Sequence, residues 1–335
     1  MPSSAELAAM ERALRLATAA GTVRGPNPRV GCVILDSTDV VIAEGAHLGA
    51  GSDHAEVVAL KAAGPAAEGA TAVVTLEPCN HTGRTGPCVE ALINSGVARV
   101  VFGQSDPHSV AKGGADALEA AGIVVERGVL EDDCLAINTR WSTAVHRGWP
   151  WVIWKVAATL DGRISASDGT ATWITGEDAR TDVHRLRAEV DAILVGTSTV
   201  LSDNPQLSVR LPDFSGAQPL PVVMGLRDIP MSCAVSATAL HVRSRDPHEV
   251  LRVLQEREIR TLLVEGGATV AAAFVQAGLV DEVRWYTAPA ILGSGTSAIA
   301  DLGISTLSER VSLKVSNVQM CGADVRIDAY VVREA

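Results

Sequence analysis

His54, Glu56, Cys79 and Cys88 are the residues of this chain whose types and spacing point most directly to chemistry. One imidazole and two thiolates give a zinc ion three ligands and leave its fourth tetrahedral position to water. That is the layout of a catalytic centre, not a closed structural one. Zinc lowers the pKa of such a water to about 7, so hydroxide is available at neutral pH. Glu56 stands two residues after the histidine and is not needed as a ligand. Its place suits proton transfer from the water to a ring nitrogen and then to a departing ammonia. A structural zinc knuckle requires neither Glu56 nor Pro78, the proline before the first cysteine.

Alternating strands and helices must bring these residues together. Ser3 and Glu6 form a capping box before an Ala-rich helix on which Leu7, Met10, Leu14 and Ala17 recur at helical spacing. Pro26-Asn27-Pro28 is a turn that leads into apolar strands at Val30–Leu35 and Val40–Ala43. Asp53 is the expected N-cap of the helix carrying His54 and Glu56. A strand at Ala72–Leu76 ends at Glu77-Pro78-Cys79, and Cys88 opens the next helix. Helix N-termini favour thiolates by their partial positive charge. Trp141 and the stretch from His146 to Trp151 form a turn-rich junction. A second α/β pattern follows: strands at Trp151–Ala157, Asp191–Gly196 and Thr261–Val264, the last ending in Glu265-Gly266-Gly267 before a helix. Strand, glycine pair, helix is a geometry that accepts phosphate, although a glycine pair after a strand is often only a tight turn. No G-x-G-x-x-G stands there, so a Rossmann reading is not supported.

The 335 residues suit two domains. With 47% apolar residues but only 3% aromatic, the core must be built from Ala, Val, Leu and Ile. A net charge of −11 argues against nucleic acid held by phosphate neutralisation and favours a small-molecule substrate. The six cysteines show no disulfide framework, and those outside the motif read as buried small apolar side chains. No signal peptide and no membrane span is evident, so a cytoplasmic location is expected.

H-x-E followed by P-C and a second cysteine is the signature of zinc deaminases. Here eight residues, Asn80 to Pro87, replace the usual two between the cysteines. The fuller set is Pro26-Asn27-Pro28-x-Val30-Gly31, Gly45-x-His47, His54-Ala55-Glu56 and Glu77-Pro78-Cys79-x-His81-x-Gly83-Arg84-Thr85-x-Pro87-Cys88. It resembles the deaminase half of the bifunctional riboflavin-biosynthesis deaminase–reductase family. In the second half, Lys155-x-Ala157-x-Thr159-Leu160-Asp161-Gly162-Arg163, Trp173-Ile174-Thr175, the run from Leu186 to Arg210 and Val264-Glu265-Gly266-Gly267 resemble the reductase half of that family. The resemblance covers nearly the whole chain in the same domain order. It departs at Gly86 and His108 in the first half, and at Ala171 and Pro221–Gly225 in the second.

The resemblance implies an α/β chain with an N-terminal cytidine-deaminase-like zinc domain, residues 1–146, and a C-terminal dihydrofolate-reductase-like domain, residues 147–335. It implies His54, Cys79 and Cys88 as ligands of Zn2+ and Glu56 as the catalytic proton carrier. Asn27, His47 and Arg84 would contact the pyrimidine or its ribose phosphate. Ala157, Trp173, Thr199, Asp203, Gly266, Gly267, Ala268 and Thr269 would line an NADPH site. Arg187, Leu207, Arg210 and Glu265 would hold the second substrate, with Lys155 orienting or protonating the sugar. His81 reads as a structural residue and Asp161 as a turn former. The implied reactions are deamination of 2,5-diamino-6-ribosylamino-4(3H)-pyrimidinone 5′-phosphate, then NADPH reduction of the ribosyl group of 5-amino-6-(5-phosphoribosylamino)uracil to ribityl. The expected partners are these pyrimidine ribose phosphates, with no nucleic acid and no membrane. The sequence leaves the oligomeric state open, with a homodimer the suspected form. Two other classes share parts of the pattern. One is a deaminase of bases in nucleic acid, opposed by the acidic balance; the other is a non-catalytic nucleotide binder with a relict second half.

Overall fold

Ser3 and Glu6 cap the first helix reciprocally. The Ser3 N–H donates to Glu6 Oε2 at 2.7 Å, and the Glu6 N–H donates to Ser3 Oγ at 3.1 Å. In the computed structural model, which describes residues 1–19, 25–81, 86–108 and 113–333, the chain divides into two compact units, Met1–Gly148 and Trp149–Ala335.

The first unit runs α1 (Ser4–Ala19), β1 (Gly31–Leu35), β2 (Val41–Ala46), α2 (Ala55–Ala63), β3 (Thr71–Leu76), α3 (Cys88–Asn94), β4 (Arg99–Gln104), α4 (Gly114–Ala120), β5 (Val124–Glu126) and α5 (Glu131–Arg147). Its strands form one sheet in the order β2-β1-β3-β4-β5. β1 is antiparallel to both neighbours, whereas β3, β4 and β5 are parallel. The sheet is buried on both faces, so alternate residues serve different layers. Cys32 and Ile34 pack with Ala55, Ala59, Leu92 and Leu118 on the face of α2, α3 and α4. Val33 and Leu35 pack with Met10, Ala13 and Cys134 on the face of α1 and α5.

Helix α5 corrects the expected turn-rich junction. It starts with Glu131, Asp132 and Asp133, ends with His146 and Arg147, and stops only at left-handed Gly148. Acids at its start and bases at its end complement the helix dipole. Trp141 therefore lies on a helix, where its Nε1–H donates to Pro26 O at 2.6 Å. One turn earlier, the buried Asn138 side chain bonds both the N–H and the C=O of Arg29, each at 2.9 Å. The Pro26–Arg29 turn is thus pinned to α5.

The second unit runs β6 (Trp151–Thr159), β7 (Arg163–Ser165), α6 (Glu177–Ala188), β8 (Ala192–Gly196), α7 (Thr197–Asp203), β9 (Leu220–Met224), β10 (Leu240–Val242), α8 (Pro247–Gln255), β11 (Thr261–Val264), α9 (Ala268–Gln276), β12 (Glu282–Ala288), β13 (Thr296–Ser297), β14 (Leu313–Cys321) and β15 (Asp324–Val331). The main sheet has the order β10-β9-β8-β11-β6-β12-β15-β14. Strands β10 through β12 in that order are parallel, and the C-terminal hairpin β14–β15 adds two antiparallel strands. α8 and α9 cover one face, while Leu186 of α6 and Val200 of α7 pack on the other. A register shift between Val315 and Asn317 places Leu313, Val315, Val318 and Met320 opposite Val331, Ala329, Ile327 and Val325. The bulge keeps those four apolar residues on one face of the edge strand although their sequence spacing changes.

All six cysteines are free thiols. Cys32, Cys134 and Cys321 are buried as expected, but Cys233 is only half-buried. Among the described residues, no helix is long and apolar enough to cross a membrane.

Gly45 of β2 sets the seat of α2. A Cβ there would lie 2.2 Å from the carbonyl oxygen of Ala55, the residue after His54. Gly45→Ala is expected to lower the unfolding free energy by roughly 1–3 kcal/mol through overpacking and to lower the zinc content of the purified protein. Urea denaturation with parallel metal analysis checks both.

Candidate active sites

In the first unit, His54 occupies the N-cap position of α2 with extended backbone angles, φ −68° and ψ 156°. Asp53, the expected N-cap, instead pairs with Lys61 at 2.6 Å. The lysine on the next turns draws the carboxylate along the outside of the helix, and His54 is left at the helix mouth. His54 Nδ1 lies 3.0 Å from Cys88 Sγ and 3.6 Å from Cys79 Sγ. One ligand atom from each of the three residues falls within 4.8 Å of the others. The Cys88 N–H donates to Cys79 Sγ at 3.4 Å.

The two thiols settle one proton between them. A hydrogen bond from the Cys88 thiol holds Cys79 down, towards thiolate, and that same thiol–thiol bond together with burial pushes Cys88 up. A thiolate, a thiol ready to surrender its proton and an imidazole form the donor set that zinc accepts. Glu56 lies in the first turn of α2 at 4% exposure. Burial raises its pKa, and the negative Cys79 adds to the rise. A carboxyl group so placed takes up a proton more readily than one in water.

His47 is buried beside this centre, its ring edge-to-face with that of His54 at 5.3 Å. Its Nδ1 lies 3.0 Å from Asp53 O and its Nε2 2.9 Å from Asn27 Nδ2. With a carbonyl on one side and an amide donor on the other, Nδ1 carries the proton and Nε2 accepts. Burial lowers the pKa of His47, in keeping with that neutral ring. Asn27 and His47 are thus brought together, whereas Arg84 lies outside the described residues. His81 stands apart from the three-donor group, as expected, with a buried Nδ1 that has no hydrogen-bond partner.

Glu77 is a positioning residue that the sequence reading left without a role. Its carboxylate accepts the N–H of Asp106 at 3.2 Å and that of Ala115 at 3.1 Å. A buried acid directly before Pro-Cys was the available signal. Asp106 beside it is pushed up to about 6, chiefly by burial.

In the second unit, the pairing of Val264 with Trp154 sets Glu265 beside Lys155. Lys155 Nζ is 3.8 Å from Glu265 Oε2. Arg187 of α6 grips the same carboxylate twice, at 2.7 and 2.9 Å. Burial alone would raise Glu265, but Arg187 and Lys155 outweigh it and hold the carboxyl at about 2. Burial lowers Lys155 in turn, offset only in part by Glu265. Arg187 also donates to Ser208 O at 3.1 Å, and the Arg210 N–H donates to His184 Nδ1 at 3.2 Å. These bonds carry the segment from buried Leu207 to exposed Arg210 up to the cluster. His184 was read only as part of a helix; burial and the two arginines hold it down at about 4.

Gly266 and Gly267 follow β11, with Gly267 at the N-cap of α9, and Ala268 and Thr269 open α9. A Cβ on Gly266 would lie 2.7 Å from Val270 Cβ, and one on Gly267 would have Thr199 Oγ1 as its nearest neighbour at 3.9 Å. The missing side chains let the backbone after β11 lie close on Val270 and leave the start of α9 uncovered at Gly267, a helix N-terminus of the kind that accepts a cofactor's phosphates. Ala157 packs on β6 against Ala179, Val183 and Tyr286. Trp173 is 70% exposed, with the Arg180 guanidinium 4.6 Å from its ring. Asp203 ends α7 and is exposed. Neither shares a described hydrogen bond with the Lys155–Glu265 group. Asp161 is the expected turn former; its carboxylate accepts from Thr159 Oγ1 and from the N–H groups of Leu292 and Gly293.

A metal-binding α/β unit with a buried carboxyl, followed by a unit with a cofactor cradle, defines a zinc-dependent deaminase joined to an NADPH-dependent reductase. Residues 3–104 match the family model of the cytidine and deoxycytidylate deaminase zinc-binding region, and residues 150–327 match that of the RibD C-terminal domain. The chain is 46% identical over 306 residues to the riboflavin biosynthesis protein RibD of Mycobacterium tuberculosis (strain ATCC 25618 / H37Rv), covering 90% of each. It is 37% identical to that of Escherichia coli (strain K12) over 355 residues, 94% of this chain and 96% of the other. The solved structure of Acinetobacter baumannii RibD superposes with a TM-score of 0.92 at 36% identity, covering 98% of this chain and 99% of that one. A Thermotoga maritima deaminase/reductase does so at 0.84 and 32%, with the same coverage. The chain belongs to the RibD family, the bifunctional deaminase–reductases of riboflavin biosynthesis.

Because Cys88 holds its proton while Cys79 accepts from it, zinc uptake must displace at least one proton. Zinc affinity is expected to fall about tenfold per pH unit for each proton released as pH drops. Competition with a chelator at several pH values measures that slope.

Proposed function

We propose that the first unit removes the 2-amino group of 2,5-diamino-6-ribosylamino-4(3H)-pyrimidinone 5′-phosphate. The second unit then reduces the ribosyl group of the resulting aminouracil phosphate to ribityl. The observation that carries this reading is the His54, Cys79 and Cys88 donor set with Glu56 buried beside it.

Zinc held by those three residues supplies a water acidic enough to be deprotonated near neutral pH. Glu56 would take one proton of that water and give it to the ring nitrogen, then carry the proton of the newly added hydroxyl to the amino group, so that the carbonyl forms as ammonia leaves. Asn27, fixed by its bond to His47, presents its remaining amide groups to the pyrimidine. Arg84 meets the ribose phosphate. In the second unit, NADPH seated along Ala157, Trp173, Thr199, Asp203 and the Gly266-to-Thr269 loop supplies hydride. Lys155 protonates or orients the sugar oxygen as its ring opens, which its lowered pKa favours. Glu265 and Leu207 shape the pocket. Arg187 braces Glu265, and exposed Arg210 meets the phosphate as a planar cation.

The acidic chain acts on small molecules and not on nucleic acid, and works in the cytoplasm with its thiols reduced. It pairs with a second copy through the edge of its second unit. Support comes from β14, where Val318 and Met320 are 59% and 63% exposed on one apolar face with Leu313 and Val315. Sedimentation at micromolar concentration should give a dimer that Val318→Lys dissociates; a monomeric wild type would sink the pairing.

Mass spectrometry of the diaminopyrimidine phosphate after incubation tests the chemistry. Deamination adds about one mass unit, and NADPH then adds about two more. Glu56→Gln should keep its zinc and lose deamination by about 10²- to 10⁴-fold. Absence of both shifts from a zinc-loaded wild type would overturn the substrate assignment.

A further inference from the structure

From Leu207 to Arg210 the chain alternates like a strand, with Leu207 and Val209 buried and Arg210 exposed, yet it belongs to none of the sheets among the described residues. Buried backbone polar groups have to be paired, and here side chains pair them. Gln218 acts in place of a neighbouring strand. Its Oε1 accepts the Val209 N–H at 2.7 Å, and its Nε2 donates to Val209 O at 3.2 Å. From α6, Arg187 donates to Ser208 O at 3.1 Å, and His184 Nδ1 accepts the Arg210 N–H at 3.2 Å. Leu207 at the root of this arm holds φ +51°, in the left-handed region, which a leucine adopts only where its surroundings impose it. Its burial and these bonds impose it. Helix α6 is itself fixed, since Asp182 accepts from Tyr286 Oη and from Arg326 Nη1, each at 2.7 Å.

What the arm carries is charge. Lys155, Arg187 and Arg210 face the single carboxylate of Glu265. Among the described residues the Arg210 guanidinium has no hydrogen-bond or ion-pair partner, so the surplus positive charge suits an anion. A guanidinium reads a phosphate through directed, paired N–H groups, so its affinity depends on where its backbone is held. His184 suits this task because it stays neutral. Burial, Arg187 and Arg210 hold its ring at about 4, against the pull of Glu265. Near neutral pH its Nδ1 is therefore an acceptor for the Arg210 N–H. A lysine or arginine in its place would add a cation and offer no acceptor.

We infer that His184 and Gln218 are positioning residues of the reductase, which hold the Leu207–Arg210 arm so that Arg210 meets the phosphate of the substrate. Both act through Arg210, so they serve substrate affinity and not hydride transfer. The inference rests on the reading of Arg210 as the phosphate's partner.

Reductase kinetics on the full-length protein, followed by NADPH oxidation, compare 5-amino-6-(5-phosphoribosylamino)uracil with the same compound lacking its phosphate. Wild type should favour the phosphorylated compound in kcat/KM by about 100-fold or more. His184→Leu and Gln218→Leu should each raise its KM about tenfold. Its kcat, the KM for NADPH and kcat/KM for the phosphate-free compound should stay within about twofold. His184→Asn, whose Oδ1 can accept where Nδ1 did, should recover most of the loss. Variants that keep the wild-type KM, or a His184→Asn no better than His184→Leu, overturn the positioning role and leave the reductase reading standing. Weakening of NADPH and both compounds alike marks a merely structural role and overturns it as well. A wild type that does not distinguish the two compounds overturns the phosphate reading of Arg210 and the inference with it. One that oxidises NADPH on neither compound overturns the reductase reading itself.

Discussion

Three donors from three separate segments have to meet within 4.8 Å, and two of them are thiols that compete for one proton. Nothing in a loose chain would hold such groups together, so backbone contacts must do it. Two of the tightest backbone approaches in the first unit lie beside the ligand-bearing segments. The missing side chain at Gly45 lets the helix that follows His54 lie directly on β2. At Gly114, a Cβ would sit 1.9 Å from Pro78 O, so the start of α4 closes on the residue before Cys79. Glu77 ties the same loop to the segment after β4 and to α4 through two buried bonds. Each contact fixes one ligand-bearing segment against the sheet.

The second unit solves a different problem, a carboxylate held among cations at the carboxyl edge of a parallel sheet. Open α/β sheets place their ligands at that edge. Here register alone sets Lys155 against Glu265, and Arg187 arrives from α6 to complete the group. Removing one member of a buried pair strands the other charge, at a cost of about 3–5 kcal/mol. The cluster therefore ties α6, β6 and β11 together while leaving exposed Arg210 at its rim.

The His54, Cys79 and Cys88 set was legible because its chemistry is carried by residue type and spacing. Strand–helix alternation was legible too, since buried parallel strands read as continuous apolar runs such as Ala192–Gly196. Helix α5 was not: Trp141 and the Gly148–Pro150 turn drew attention from the acids at 131–133 that start it. The hairpin β14–β15 escaped because an exposed edge strand with a bulge lacks a clean alternation. The Asp53 N-cap failed because Lys61 competes for the carboxylate, a contact that capping rules do not weigh. The link between His184 and Arg210 joins residues far apart in the chain, which no local pattern reveals.

The strand order of the second unit also bears on how the chain emerges from the ribosome. The first sheet is complete once β5 and α5 have been made, and its pairings join strands close in sequence. In the second sheet the first strand made, β6, lies between β11 and β12, both synthesised far later. Its Trp151-Val152-Ile153-Trp154 run, buried in the finished molecule, has no sheet neighbour until then. Pairings over such long chain separations form slowly and expose apolar surface while they wait. The deaminase half can be folded while the reductase half is still an open chain, so the nascent protein depends on shelter for β6 more than for any strand before it.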